Sequence, residues 1–257
     1  MRTKRLRAFI INLERSKDRK EAMQAQISKL FAAQPALEER LEFSFFRGVD
    51  ASAGEHEAYA AHFPKWLRFL GMALSEGEKG CYASHFRLWS ECVRADECVF
   101  VFEDDVEFSP AFLAQGAQML EKIIASPYEY VRLFYIFERK SYALDENFIL
   151  TFGDVNGTQG YFLRPSAAKK FIKASKFWLR AVDNAMDMSH QNKVLNVIFR
   201  PLLLSCENQT SLIAQRGERI RGYRKFMREI LRIYFQGKKF VWVVCVRIKL
   251  QIKETLG

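Results

Sequence analysis

The distribution of apolar and polar positions predicts strands that alternate with helices along the chain. Apolar runs at residues 8–13 and 41–47 are rich in β-branched and aromatic residues, which favours strands. Between them, Ser16 followed by charged residues predicts a helix start, and the helix runs toward Leu30 and Phe31. A strand followed by a helix near the beginning of the chain is typical of an α/β sheet.

The central part of the chain continues this alternation. Ser75 and Glu78 have the spacing of a capping box, which predicts a helix that continues through Trp89. Residues 55–71 have no clean period and are predicted to form an insertion with some helix. The remaining predicted elements are a strand that ends in the acids at 103–105, a helix at 110–125, a strand at 130–137, a hairpin or loop at 141–156, a strand at 157–163, a helix at 165–177, a short Met-rich helix ending near 190 and an interrupted strand at 194–204.

The segment at residues 98–110 carries the clearest chemical signal. Its β-branched and aromatic run ends in Glu103, Asp104 and Asp105. In an extended chain side chains alternate, so Glu103 and Asp105 are predicted to share one side and Asp104 to take the other. Adjacent carboxylates repel one another, and a cation among them would relieve that repulsion. A metal or diphosphate site is one interpretation, and a solvated strand end that merely turns is the other.

Composition limits the class of protein. The chain has 257 residues with 49% hydrophobic content, which is enough for one large globular domain or a domain with an appendage. Five widely spread cysteines favour neither a disulfide framework nor a zinc site, and they fit a reducing cytoplasm. The apolar run after the basic N-terminus is too short for a signal-peptide core, and no stretch approaches a span of about 20 apolar residues.

Charge separates the end of the chain from the rest. Of the net charge of +10, residues 215–257 carry +9, so residues 1–214 are predicted to form a nearly neutral domain and residues 215–257 a cationic tail. An apolar segment at 240–246 contains a Trp between basic residues, a pattern typical of an interfacial anchor on an anionic membrane. One face of the preceding predicted helix collects Ile220, Tyr223, Met227, Ile230, Leu231 and Tyr234, opposite most of the basic side chains.

Two alternatives remain for this tail. The helix could pack on its own domain and leave a solvated basic face. It could also bind RNA, but no glycine-rich or aromatic-basic recognition motif supports this, so nucleic acid is not the expected partner.

Several stretches occur in an order and spacing that are more specific than the acidic residues alone. They are Ile11-Asn12-Leu13-Glu14-Arg15-Ser16-Lys17-Asp18-Arg19, then Gly48-Val49-Asp50-Ala51, then residues 74–85 with Gly80-Cys81-Tyr82-Ala83-Ser84-His85, then Val101-Phe102-Glu103-Asp104-Asp105-Val106. Together they resemble the motifs of glycosyltransferase family 25, the bacterial lipooligosaccharide galactosyltransferases and their relatives. The resemblance covers roughly residues 8–212, weakly so at 157–161, 181–183 and 207–211.

This resemblance implies an α/β fold of the GT-A type that binds a nucleotide sugar. It implies a UDP-sugar donor, usually UDP-galactose, and a divalent metal, usually Mn²⁺, with Mg²⁺ as the other choice. The expected reaction is inverting transfer of galactose to a terminal sugar of a lipid-linked oligosaccharide, a lipooligosaccharide. The tail adds an expected location on the anionic cytoplasmic face of the inner membrane, and the oligomeric state stays open.

The resemblance also assigns residues. Asp105 is the first choice as direct metal ligand, with Glu103 and Gln209 beside it; Glu103 replaces the first Asp of an Asp-any-Asp motif, so it contacts either ribose or metal. The expected donor-binding residues are Asn12, Arg15, Arg19, Asp50, Glu78, Ser84, His85, Glu103, Asp104 and Gln159. For Arg15 and Arg19 the alternative is a solvated helix start, and for Asp50 it is an ordinary turn.

Inversion requires a base opposite the leaving diphosphate. Asp183 is the first candidate and Asp187 the second. Asp183 also stands where a simple helix cap is expected. Two rival functions remain. One is a non-catalytic membrane-surface adaptor that keeps the fold. The other is a Mg²⁺-dependent phosphotransferase that uses the same carboxylates, although the lack of a glycine-rich phosphate loop with its Lys argues against the commonest version, which uses a nucleoside triphosphate.

Overall fold

Three parallel strands form one half of the central sheet. A computed structural model describes residues 5–205 and 222–256, with residues 252–256 as backbone only. β1 (Leu6–Asn12) lies between β2 (Leu41–Arg47) and β3 (Val99–Glu103), and all three run in the same direction. Their carboxyl ends therefore meet at one edge, where α/β sheets bind ligands.

The segments between these strands are helical. α1 (Lys17–Ala33) and α2 (Pro35–Glu38) connect β1 to β2, as the sequence predicts for α1. The insertion after β2 consists of 3-10 helices at Ala51–Ala53, Glu55–His62 and Lys65–Leu70. α3 (Glu76–Ala95) then leads into β3, and its predicted capping box between Ser75 and Glu78 is confirmed.

The second half of the chain completes the sheet. The elements after β3 are β4 (Glu107–Phe108), α4 (Pro110–Ala125), β5 (Tyr130–Arg132), β6 (Ser141–Ala143), β7 (Phe148–Thr151), β8 (Gly160–Leu163), α5 (Pro165–Ala174), α6 (Val182–Asp187), α7 (Ser189–Asn192), β9 (Asn196–Phe199), β10 (Leu204–Ser205) and α8 (Tyr223–Leu256). In the described residues the sheet has eight strands in the order β2-β1-β3-β8-β5-β9-β7-β6, with β8 antiparallel to β3 and β5, and β5 parallel to β9. The protein thus has a mixed α/β fold.

The two faces of the sheet bury separate apolar clusters. Because side chains alternate along a strand, Phe100 and Phe102 of β3 enter one cluster, and Val99 and Val101 enter the other. The first cluster is covered by α1 and α4, and the second by α3 and α5. Helices cover both faces of the sheet, which explains why β3 is apolar at consecutive positions. That apolar run is also what predicts a buried strand from the sequence.

One predicted strand is shorter than expected. The sequence predicts a strand at 130–137, but β5 ends at Arg132. Its partner β8 begins only at Gly160, because Asn156 and Gly157 adopt left-handed backbone conformations (φ 57° and 88°) that cannot extend a ladder. Ile136 and Phe137 instead donate backbone hydrogen bonds to the carbonyl of Val155.

The described part of the basic tail, α8 (Tyr223–Leu256), is one continuous helix that packs along the body of the protein. Lys239 of α8 pairs with Asp154 at 3.1 Å, and the ammonium of Lys193 lies 4.6 Å from the centre of the Trp242 ring. Val246 is buried in the same cluster as the Phe100 side of the sheet. The division at residue 214 stays a prediction, since residues 206–221 lie outside the described part of the chain. None of the described helices is long and apolar enough to cross a bilayer.

Candidate active site

Polar side chains converge where β1 and β3 end. Asn12, the last residue of β1, donates from Nδ2 to Oδ2 of Asp104 at 2.7 Å and to the carbonyl of Ser16 at 3.1 Å. Arg19, on the first turns of α1, reaches Asp104 at 3.1 Å and Asp105 at 3.4 Å through the same Nη1. The structure therefore joins four of the predicted site residues in one hydrogen-bonded network.

Glu103 points to a different set of partners. Its Oε1 accepts a short hydrogen bond from Thr158 and lies 3.4 Å from Nε2 of His85. Nδ1 of His85 is 2.8 Å from the hydroxyl of Tyr161, so both ring nitrogens have fixed partners. The buried indole of Trp89 also donates to that hydroxyl, at 3.0 Å. These contacts define the orientation of His85 from both sides.

The predicted alternation of the three acids is wrong beyond Glu103. β3 ends at Glu103, and the chain then turns. Asp104 and Asp105 consequently both reach Arg19, whereas Glu103 faces His85. Alternation holds only while the backbone stays extended, and the turn removes it.

The acids have unlike protonation tendencies. Burial, the negative charge of Glu103 and that of Asp104 raise the pKa of Asp105 to about 6, against the attraction of Arg19. For Glu103, burial opposes ionisation, but the hydrogen bond and charge of His85, with Thr158, outweigh it and lower the pKa. Crowded negative charge at Asp105 is the electrostatic condition that a divalent cation would relieve.

Arg15, which lies just before α1, contacts the loop after β2 instead of the acids. Nε of Arg15 lies 3.2 Å from Asp50, and its Nη1 donates to Ser52 at 2.7 Å. Asp50 accepts hydrogen bonds from the hydroxyl and the backbone N–H of Ser52 and caps the first 3-10 helix. These hydrogen bonds, that of the hydroxyl first, lower the pKa of Asp50. The turn alternative for Asp50 thus describes its geometry, and the donor role of both residues stays a prediction.

The start of α3 is anchored on the loop after β2. Ser84 accepts the N–H of Val49 at 2.8 Å while it donates to the carbonyl of Gly80. A Cβ at Gly80 would lie 2.9 Å from Cβ of Ala51, so only glycine allows this approach. The Glu78 carboxylate is held by Ser75 in the capping box. Donor contacts by Ser84 and Glu78 stay predictions.

Two glutamines of the predicted site have different outcomes. Gln159 is buried, and its backbone carbonyl accepts the N–H of Glu103 at 3.0 Å, which places it beside the acids. Gln209 lies outside the described residues.

Asp183, on the first turn of α6, accepts hydrogen bonds from the turn at residues 156–157. Its Oδ2 accepts Nδ2 of Asn156 at 3.1 Å and the N–H of Gly157 at 3.4 Å, and its Oδ1 accepts the N–H of Asn184 at 2.7 Å. The N-cap position of α6 belongs to Ala181, so Asp183 is not the simple cap that the sequence allows as its alternative. Asp183 is half-buried, and its role as a base stays a prediction.

Asp187 is instead fully buried in an ion pair. Its Oδ1 lies 2.7 Å from Nη2 of Arg132 and accepts Nδ2 of Asn196 at 2.7 Å, while its Oδ2 accepts the N–H of Asn156 at 2.8 Å. Burial raises the pKa of Asp187, and Arg132 and the hydrogen bonds oppose this. Asp187 is thus enclosed and Asp183 is only half-buried, and a catalytic role for either residue stays a prediction.

Arg132 connects this pair to the turn. Its guanidinium also donates to Oδ1 of Asn196 and to the carbonyls of Asn156 and Gly157. In the sequence, Arg132 lies within the predicted strand at 130–137 and has no predicted role in the site. Its charge within an apolar strand is the sequence feature that indicates a buried ion pair, since a charged residue is rarely buried without a partner.

The carboxylates form one electrostatic neighbourhood around Cys81. Burial raises the pKa of the Cys81 thiol well above its ordinary range, and the negative charges of Glu103, Asp183 and Asp105 add to the shift. Cys81 thus lies near carboxylates of both regions, the one at the ends of β1 and β3 and the one at the start of α6.

Comparison with known proteins decides the family. The sequence profile described as Glycosyltransferase family 25 (LPS biosynthesis protein) matches residues 6–186. The chain belongs to glycosyltransferase family 25. It is thus a glycosyltransferase of LPS biosynthesis, which implies a sugar donor and an oligosaccharide acceptor. A comparison with curated proteins gives no significant match.

The matched range contains most of the site. It extends from β1 to nearly the end of α6 and so includes Asn12, the acids at 103–105 and Asp183. The resemblance predicted from the motifs is confirmed, and the residues assigned from it remain predictions.

Removal of the Arg132 charge should destabilise the fold strongly. In Arg132→Met, Asp187 is left buried without its cation, which costs about 3–5 kcal/mol of the free energy of unfolding. Arg132→Met/Asp187→Leu should lose less, because no lone charge remains. Urea unfolding followed by circular dichroism measures both.

The exposed pair Lys122–Glu146 provides the control. Lys122→Met should cost at most about 1 kcal/mol, as is usual for surface pairs. A loss of the same size in Arg132→Met would contradict the structural role of the buried pair.

Asp105 should give the stability of the metal-free protein a distinct pH dependence. Between its ordinary pKa near 3.8 and its raised pKa of about 6, the folded state retains a proton that the unfolded state releases. The contribution of Asp105 to the free energy of unfolding therefore falls as pH rises through this window and is constant above it.

Asp105→Asn should remove that fall. Urea unfolding at several pH values with a chelator present measures the difference between variant and wild type, and Glu39→Gln, at an exposed site, serves as control. Identical pH profiles for Asp105→Asn and wild type would refute the assignment.

Proposed function

We propose that this protein is an inverting, metal-dependent galactosyltransferase that uses UDP-galactose and extends a lipooligosaccharide. The observation that supports this best is the joining of Asn12, Arg19, Asp104 and Asp105 at the carboxyl ends of parallel strands. This edge is where nucleotides bind in α/β sheets, and the proposal includes a donor site of the GT-A type.

The acids suit a hard divalent cation. Carboxylate oxygens are preferred ligands of Mg²⁺ and Mn²⁺. Burial, together with the negative charges of Glu103 and Asp104, raises the pKa of Asp105 to about 6, and a cation would relieve that crowding of negative charge. Asp105 and Glu103 would hold the ion, and Gln209 is a third proposed ligand. When bound, the ion would neutralise the negative charge of the diphosphate leaving group.

The arginines supply the remaining positive charge. Arg19 is paired with two carboxylates, and about a third of its side chain is exposed. A guanidinium so placed can move from carboxylates to phosphate oxygens, for which it has matching fork geometry. Asn12 and Asp104, which are hydrogen-bonded to each other, would keep the donor-binding residues in position. Arg15 and Asp50 would border the nucleoside.

Asp183 is the proposed general base. It is partly exposed, and hydrogen bonds from Asn156, Gly157 and Asn184 fix the orientation of its carboxylate. A carboxylate held in this way can take the proton of the acceptor hydroxyl as the new glycosidic bond forms. Asp187, enclosed with Arg132, is proposed to support this position.

Asp183→Asn should reduce transfer about 10²–10⁴-fold, since general-base catalysis contributes an effect of that size. UDP-galactose binding, measured by calorimetry with Mn²⁺, should change little. Asp105→Asn should instead weaken Mn²⁺-dependent donor binding and abolish transfer.

Mass spectrometry with several UDP-sugars and a truncated lipooligosaccharide measures the product, and Asp154→Asn is the control. Donor binding with no transfer in wild type would favour the adaptor alternative. Full activity in Asp183→Asn would refute the base assignment.

The proposal places the enzyme on the anionic cytoplasmic face of the inner membrane. Residues 222–251 contain eight Lys or Arg and one Glu. α8 packs one face on the body but leaves another apolar face exposed, at helical spacing. The exposed apolar residues of α8 are Tyr223, Phe226, Ile230, Ile233, Tyr234, Phe240, Val241, Val244 and Ile248.

A second element lies next to the start of this face. A Cβ at Gly71, which ends the 3-10 helix Lys65–Leu70, would be 2.7 Å from the carbonyl oxygen of Arg224 on α8. That 3-10 helix exposes Trp66 and Phe69, which are 46% and 63% accessible. Exposed aromatic residues beside cationic side chains are typical of proteins that rest on an anionic lipid surface.

Replacement of exposed apolar residues on α8 should reduce membrane binding. The variant Phe226→Ser/Ile233→Ser/Phe240→Ser should lose most of its binding to phosphatidylglycerol vesicles in a sedimentation assay, because it lacks apolar side chains that would enter the lipid. Transfer to a soluble acceptor should be unaffected, because the buried face of α8 is unchanged.

Ile124→Ser removes a similarly exposed apolar side chain from α4 and should bind like wild type. Vesicle binding that persists in the triple variant would contradict the role of the exposed apolar face of α8. A wild-type protein that does not bind vesicles would favour a helix that only packs on its own domain.

A further inference from the structure

Cys81, His85 and Glu103 form a cluster that the proposed transfer reaction does not fully use. One ligand atom from each, the thiol sulfur, a ring nitrogen and a carboxylate oxygen, lies within 4.8 Å of the others. Cys81 and His85 are four residues apart on α3, so they share one face of that helix. Glu103 ends the neighbouring strand and completes the set.

The surroundings of the cluster resemble a supporting shell for a metal. Nδ1 of His85 is 2.8 Å from the hydroxyl of Tyr161, which leaves Nε2 directed at Glu103. Histidine ligands usually have such a partner on the second nitrogen, and it fixes the ring. Thr158 donates to the carboxylate of Glu103 and so restrains that ligand as well.

The chemistry of this set differs from that around Asp105. Sulfur and imidazole nitrogen are preferred by zinc and similar borderline-soft ions, whereas Mn²⁺ and Mg²⁺ prefer oxygen. The set also has the three protein ligands that leave one position open in a tetrahedral site. The spacing of cysteines along the chain does not predict this site, because only one of its three ligands is a cysteine.

We propose that Cys81, His85 and Glu103 bind a zinc ion, with Cys81 releasing its thiol proton to solvent as the sulfur binds. The fourth position is open to water or another small ligand. Glu103 belongs both to this set and to the oxygen ligands proposed for Mn²⁺, so zinc withdraws it from the second set. Zinc binding itself does not depend on the transfer reaction.

Cobalt is a suitable spectroscopic substitute for zinc, because a Co²⁺–thiolate bond produces charge-transfer absorption in the near ultraviolet. Titration of the full-length protein with Co²⁺ alone should produce this absorption with a one-to-one end point, and Zn²⁺ should displace it. Cys81→Ser should lose the absorption, and His85→Ala should weaken Co²⁺ binding at least about tenfold.

Two variants separate ligand loss from other effects. Tyr161→Phe removes only the hydroxyl that holds His85 and should weaken Co²⁺ binding about tenfold while the thiolate absorption is retained. Cys245→Ser removes an exposed thiol on α8 and should behave like wild type.

The proposal is overturned if wild type shows no thiolate absorption or if Cys81→Ser retains it. If Cys81→Ser does not fold, X-ray absorption of zinc bound to wild type decides. One sulfur at about 2.3 Å with nitrogen and oxygen neighbours supports the site, and ligation by nitrogen and oxygen alone overturns it.

Discussion

The ion pair of Arg132 and Asp187 is the interaction on which the site depends. A buried guanidinium and a buried carboxylate can coexist only if both are hydrogen-bonded on nearly every side, and here the partners are the backbone at Asn156 and Gly157 and the amide of Asn196. The pair thereby fixes a turn whose backbone departs from the sheet, and that turn positions Asp183.

At the opposite edge of the site, charge is balanced more loosely. A single partly exposed arginine, Arg19, compensates Asp104 and Asp105, and Asn12 restrains one of them. Such pairs contribute little to stability but can exchange partners at low cost. In the proposed function, a rigid region around Asp183 would keep the acceptor aligned, and an adaptable charged region around Arg19 would allow release of the diphosphate.

Much of the fold was accessible from local pattern. β2 and α4 have the predicted bounds, the capping box of α3 is present, and the acidic residues do end a buried strand. The expected separation into helix and apolar segment in the tail was replaced by the continuous helix α8. Local propensity could not decide this, because the packed face of α8 is set by contacts with the body.

The sequence by itself determined the order of strands and helices, the family and the clustering of acids after β3, since these depend on neighbouring residues and on motif spacing. Tertiary structure alone decided which groups meet: Arg132 with Asp187, Asp105 with Arg19, and Glu103 with His85. Those partners are 18 to 86 residues apart in the sequence, and a strand end, a turn and a helix bring them together in the fold. Pairing and burial, which set protonation and reactivity, are properties of the folded chain because they arise from long-range packing.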